Sequence, residues 1–120
     1  MKYMLLIYDN AQTRETFFGE QGKGLMAEVD AVVKELTESG ELVSGEGLAD
    51  PSHTKTIRLV DGAPAVTDGP YAEAKEHLGG YMIVDCESAE RAAEIAVRWP
   101  SARFTPLEVR PLMGSSGAEM

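Results

Sequence analysis

The sequence predicts one α+β domain of βαββαβ order, a ferredoxin-like antiparallel sheet with two helices on one face and a β-hairpin inserted between its second and third strands. Three observations predict it. Strand-length apolar runs lie at 2–8, 41–48, 81–86 and 107–112, apolar stripes of helical spacing lie at 25–36 and 89–96, and a hairpin signal, Asp61-Gly62, stands between the second and third runs.

Residues 2–8 are nearly all apolar, as a strand buried on both faces requires. The polar stretch 9–23, which holds Phe17 and Phe18, reads as a long loop, with or without a short helix. Leu25, Met26, Val29, Val32, Val33 and Leu36 then form one helical stripe, and Gly40 stands where a left-handed cap ends it. Residues 41–48 read as a strand bent at Gly45 and Gly47, and Asp50-Pro51-Ser52 as a turn. Residues 54–60 and 65–67 flank Asp61-Gly62 as the two arms of the hairpin.

The stretch 71–77 has helix formers enough for one or two turns behind Pro70, ended by Gly79-Gly80, after which 81–86 is a buried strand. Ser88 caps a helix whose Ala89, Ala92, Ala93 and Ala96 let it lie close to a sheet. Pro100 stops that helix. Residues 107–112 point Leu107, Val109 and Leu112 inward and Glu108 and Arg110 outward, so the domain spans 1–113 and the small polar tail 114–120 is expected to fray.

Composition removes several functions. A net charge of −9 repels phosphate backbones, which argues against nucleic acid as a partner. The apolar run at 3–8 is far below the ~20 residues that span a bilayer, and the N-terminus has no signal-peptide pattern, so a cytoplasmic protein without a membrane partner is expected. One cysteine, Cys86, and two separated histidines, His53 and His77, give no disulfide and no zinc pattern, so neither a metal nor another cofactor is expected. Met4, Leu6, Tyr81 and Ile83 leave an apolar sheet face opposite the helices, and a second copy of the chain is its simplest cover. A homodimer is expected.

The functional site is expected between Val66 and Tyr81. Asp68-Gly69-Pro70 is a rigid turn, since Gly69 permits unusual angles and Pro70 fixes its own. Beside it lie Glu73, Lys75, Glu76 and His77, then Gly79 and Gly80, which permit close approach of backbone or ligand. Asp68 has two readings, turn cap or general base; His77 and Tyr71 are the groups that would assist a base; Gly69, Pro70, Lys75, Gly79 and Gly80 are the expected ligand contacts. Lys75 equally suits a solvated face, His77 an exposed loop, His53 the surface, Cys86 the core, and Trp99 the core or an interface.

The run Val66-Thr67-Asp68-Gly69-Pro70-Tyr71-Ala72-Glu73-Ala74-Lys75-Glu76, continuing into Leu78-Gly79-Gly80-Tyr81, resembles the signature of the DGPF group of the YCII-related family. The opening 1–8, the stretch Gly45-Glu46-Gly47-Leu48 and the ending Val109-Arg110-Pro111 are similar to that group as well, so the resemblance reaches to about Leu112. Tyr71, Ala74 and His77 stand where Phe, Thr and Gln are usual. The resemblance implies a dimeric α/β-barrel fold and, through the wider family, acid–base chemistry by a His and Asp pair, with one relative resembling a dehydrochlorinase of chlorinated aromatics. The helical histidine of that pair has no counterpart here, because 25–36 contains none. The group's frequent encoding beside extracytoplasmic-function sigma factors implies a regulatory association with one. Two functions are therefore open: a metal-independent acid–base enzyme acting on a small aromatic or carbonyl-containing molecule, and a non-catalytic ligand-binding or regulatory module.

Overall fold

The computed structural model describes residues 1–72 and 74–114; Glu73 and residues 115–120, most of the tail expected to fray, lie outside the described residues. In chain order the elements are β1 (Lys2–Asp9), α1 (Ala11–Phe18), α2 (Gly22–Ser39), β2 (Leu42–Gly47), β3 (Lys55–Val60), β4 (Ala63–Asp68), β5 (His77–Asp85), α3 (Ala89–Arg98) and β6 (Leu107–Pro111), with single 3-10 turns at Pro51–His53 and Pro100–Arg103. The main sheet runs β2-β5-β1-β6, antiparallel throughout, while β3 and β4 pair only with each other. This is the ferredoxin-like order with the hairpin inserted, the protomer fold of the dimeric α/β-barrel class.

Period-two alternation sorts β1 between layers. Tyr3 and Leu5 point into the core with Met82 and Val84 of β5, where they meet Val32 and Leu36 of α2 and Ala92 and Ile95 of α3. Leu5, Leu36, Val84, Ala92 and Ile95 lose all contact with solvent. Burying each large aliphatic side chain is worth about 1.5–3 kcal/mol, so this cluster holds the two layers together. Ala92 has no side chain beyond Cβ, and this lets α3 settle onto the strands.

Turn chemistry acts where the sequence places it. Gly40 caps α2 at φ 80°, giving its N–H to the carbonyls of Leu36 and Thr37, and Asp61 and Gly62, at φ 50° and 82°, close the hairpin. Ser88 caps α3 by accepting from the Arg91 N–H at 3.1 Å.

One segment matches an alternative left open and another departs from the expectation. Residues 11–18 form the short helix allowed for within 9–23, because Asn10 and Thr13 exchange reciprocal side-chain to backbone bonds at 2.9 Å, a capping box that a search for apolar stripes does not register. Among the described residues of 71–76 there is no helix, and β5 begins four residues earlier than expected. There β5 finds partners on both sides, β1 as far as Asp9 and β2 as far as Gly47, and ladder hydrogen bonds prevail over two helical turns that are marginal alone. Gly79 and Gly80 thus lie inside a strand rather than ending a helix.

Ion pairs tie α3 and the turn after it to its neighbours: Arg98 to Glu35, Arg103 to Glu28, and Arg91 to Glu41 in a two-pronged contact of 2.9 Å on each prong. The Arg91 bonds, aided by Ser39, hold the Glu41 carboxyl down to about 2 from an ordinary 4.5. A carboxyl with a lowered folded-state pKa stabilises the protein fully above about pH 5 and progressively less as the pH falls toward 2. Glu41→Gln is expected to cost about 1.5–3 kcal/mol at pH 7 and to flatten the acid limb of melting temperature against pH between 5 and 2. An unchanged acid limb in thermal melts would assign that loss of stability to other carboxylates.

Candidate functional site

The site lies where β1 ends, and a one-residue irregularity creates it. Through Ile7 the β1–β5 register is regular, with Leu5 opposite Met82 and Ile7 opposite Gly80, but Tyr8 then faces Leu78 and Asp9 faces His77. Gly79 is the extra residue. Because side chains alternate along a strand, this β-bulge exchanges the faces: without it Leu78 would lie opposite Asp9, and with it His77 does. Leu78 is turned outward and His77 is half-buried.

The Asp9 carboxylate settles over the bare Cα of Gly79, where an added Cβ would lie 2.5 Å from Oδ2 and 2.6 Å from Cγ. Two cationic or polar side chains hold it. Asp9 Oδ1 is 2.8 Å from His77 Nε2, and Asp9 Oδ2 accepts from the Arg14 guanidinium at 3.1 Å. Arg14 also reaches the Leu48 carbonyl at 3.4 Å and Asp50 at 3.6 Å, and its guanidinium covers the Phe18 ring at 5.1 Å. The Ser52 N–H, with Arg14 beyond it, holds the Asp50 carboxyl below its ordinary value.

Asp9 Oδ1 and His77 Nε2 are in ion-pair contact, and neither atom has a further hydrogen-bond partner among the described residues. Both are shielded from solvent. A carboxylate and an imidazole in contact and shielded from water are a pair between which a proton can be shared. On one side is a cavity of about 480 Å³ between α1, α2 and the strand ends, lined by Asp9 and Arg14 and by apolar groups including Phe17, Met26, Val29 and Trp99. On the other, His77 faces a second hollow of about 410 Å³ with Asp50, His53 and Pro70. The first has the size and apolar wall of a small-molecule site.

A family model described as the YCII-related domain matches residues 1–114. The chain belongs to the YCII-related family. An uncharacterised protein of Rhizobium meliloti is 32% identical to this YCII-related chain over 114 residues, covering 93% of this chain and 92% of the relative. A solved structure of 5-chloro-2-hydroxyhydroquinone dehydrochlorinase from Burkholderia phenoliruptrix, in complex with 2,5-dihydroxybenzoquinone, shares the fold, with a TM-score of 0.53 over 99% of this chain and 100% of that one at 11% identity.

The YCII-related chain distributes the residues singled out in its sequence over two regions. His77 and Gly79 come to the site, Gly80 lines the larger cavity and Pro70 the second hollow. Asp68, Gly69 and Tyr71 line neither cavity. Asp68 ends β4 with 83% of its side chain exposed and is ion-paired with Lys55 rather than capping backbone N–H groups. Gly69, at φ 93°, makes the turn, and Tyr71 lies exposed beneath the Arg58 guanidinium at 4.8 Å. Lys75 is exposed outside both cavities. The hairpin carries Asp68 and its neighbours away from the sheet, whereas His77 already belongs to β5.

Asp9 and Arg14 were hidden in a stretch that reads as loop. Their signal was an acid at the end of a buried strand, followed at once by the Asn10 and Thr13 capping pair, which fixes the helix that carries Arg14.

Gly79→Ala tests the packing beneath the carboxylate. The obstructed group is a movable side chain, so a stability loss within about 1–3 kcal/mol is expected, with Asp9 turned away from His77. The His77 ring nitrogen shifts in NMR spectra should move toward those of Asp9→Ala; spectra matching wild type would show that the carboxylate is not seated on Gly79.

Among the described residues no helix is long and apolar enough to cross a membrane, and no group of three or more His, Cys, Asp or Glu could hold a metal ion.

Proposed function

We propose that the larger cavity binds a small, mainly apolar molecule and that Asp9, backed by His77, exchanges a proton with it. The observation that carries this reading is the pair itself: Asp9 Oδ1 and His77 Nε2, 2.8 Å apart, shielded and without other hydrogen-bond partners among the described residues. Asp9 takes the proton from an O–H or an acidified C–H of the ligand. Arg14 keeps the carboxylate oriented through Oδ2, and His77 holds or passes on the charge from Oδ1. A positioned acid or base of this kind contributes about 10²–10⁴-fold to a rate.

The chemistry of the similarly folded dehydrochlorinase supports a ring-sized, hydroxylated ligand as the first class to screen. In such a screen Asp9→Asn is expected to lower turnover by about 10²-fold or more while ligand affinity stays within a few-fold. Turnover equal to wild type would remove Asp9 as the base. Binding without turnover in either protein would instead favour the ligand-binding module, the regulatory role that the resemblance to the DGPF group and its sigma-factor context suggests; in that role the Arg14-held carboxylate serves as a fixed hydrogen-bond acceptor.

A second copy of the chain is the cover we propose for the open sheet face. Met4, Leu6, Tyr81 and Ile83 lie together there by register and only half-buried, with Glu46, Glu108 and Arg110 in register around them. The protomer is a slab only 19 Å thick, and Ile57, Leu59 and Val66 of the hairpin are 60–75% exposed. Sedimentation at micromolar concentration should give a dimer, and Leu6→Glu a monomer. A wild-type monomer would overturn this arrangement.

A further inference from the structure

The proton-exchange reading leaves one buried polar group in the same cavity unused. Ser101 is 4% exposed, lines the larger cavity, and its Oγ has no hydrogen-bond partner among the described residues. A serine hydroxyl offers one donor and two acceptor sites, and leaving all of them unmet in a buried place costs free energy that an alanine of nearly the same shape would not. Packing alone therefore does not account for it.

The surroundings hold Ser101 firmly. It lies in the 3-10 turn Pro100–Arg103 that follows α3, and its carbonyl accepts the N–H groups of Phe104 and Thr105, each at 2.9 Å. Thr105 in turn donates its hydroxyl to the Tyr8 carbonyl at 2.7 Å, the residue before Asp9. Through Thr105 the backbone of Ser101 is tied to the strand end that carries Asp9, and both residues line one cavity with Ile7, Val29 and Trp99.

We propose that Ser101 Oγ is a second polar contact for the ligand and determines its class: a neutral, ring-sized apolar body bearing two hydroxyl or carbonyl groups, one for Asp9 and one for Ser101. This rests on the larger cavity being a ligand site. Ser101 binds and selects; the proton moves at Asp9.

Fluorescence of Trp99, the only tryptophan in the chain and part of the cavity wall, reports occupancy. The probes are phenol and the three benzenediols, titrated into the full-length protein. In wild type at least one diol is expected to bind about ten-fold more tightly than phenol; in Ser101→Ala that advantage falls to about two-fold or less, with phenol affinity unchanged. Ser101→Cys, which keeps the volume and donates weakly, should fall between them. Without ligand, Ser101→Ala should melt no lower than wild type, because no protein partner loses a bond. Equal binding of phenol and every diol to wild type, an undiminished diol advantage in Ser101→Ala, or a variant that melts well below wild type or fails to fold would each overturn the assignment while the cavity reading stands. If no probe changes Trp99 fluorescence in wild type, the cavity reading falls and this assignment falls with it.

Discussion

Everything specific to the site depends on the parity of one strand. A β-strand presents alternate residues to its two faces, so the identity of the group opposite Asp9 is decided by whether Gly79 is paired or bulged. Bulged, it brings an imidazole to the inward face and leaves a gap in its own place wide enough for a carboxylate. The same residue therefore supplies both the partner and the room. No neighbouring position does both: Gly80 is paired with Ile7, and its missing Cβ serves only the approach of the Glu46 carbonyl.

Beneath this irregularity the fold is regular. Leu5, Val84, Leu36 and Ile95 meet between sheet and helices, and three arginines, Arg91 and Arg98 of α3 and Arg103 just after it, are spent on two glutamates of α2 and on Glu41 just before β2. In a chain of net charge −9 those pairings place three of its eleven Lys and Arg along one seam. Exposed pairs of this type contribute little individually, and the half-buried Glu41–Arg91 contact is the one with the geometry to matter.

The fold was legible because each of its parts has a local signature: the stripe ending at Gly40, the Asp61-Gly62 hairpin, the alanine face after Ser88. The site was legible only in part. His77 and Gly79 stood out as an ionisable group beside a glycine pair, but Asp68 stood out for the same reason and lies instead at the end of the hairpin, paired with Lys55. Sequence nearness overstated what the hairpin separates. Conversely Asp9 and His77 are 68 positions apart and meet through a bulge that neither residue announces. Ser101, in the turn behind Pro100, carries no mark in the sequence beyond a proline that reads as a stop.

The 19 Å thickness of the slab bears on how a site here can be dry. The fully buried core lies between the sheet and α2 and α3, and Asp9 and His77, at the strand ends, are not part of it. Shelter for this pair comes from a roof. The eight residues of α1, fastened by the Asn10 and Thr13 exchange at one end and lying over the strand ends through Arg14 and Phe17, are that roof. The helix least visible in the sequence thus forms the cover over the pair.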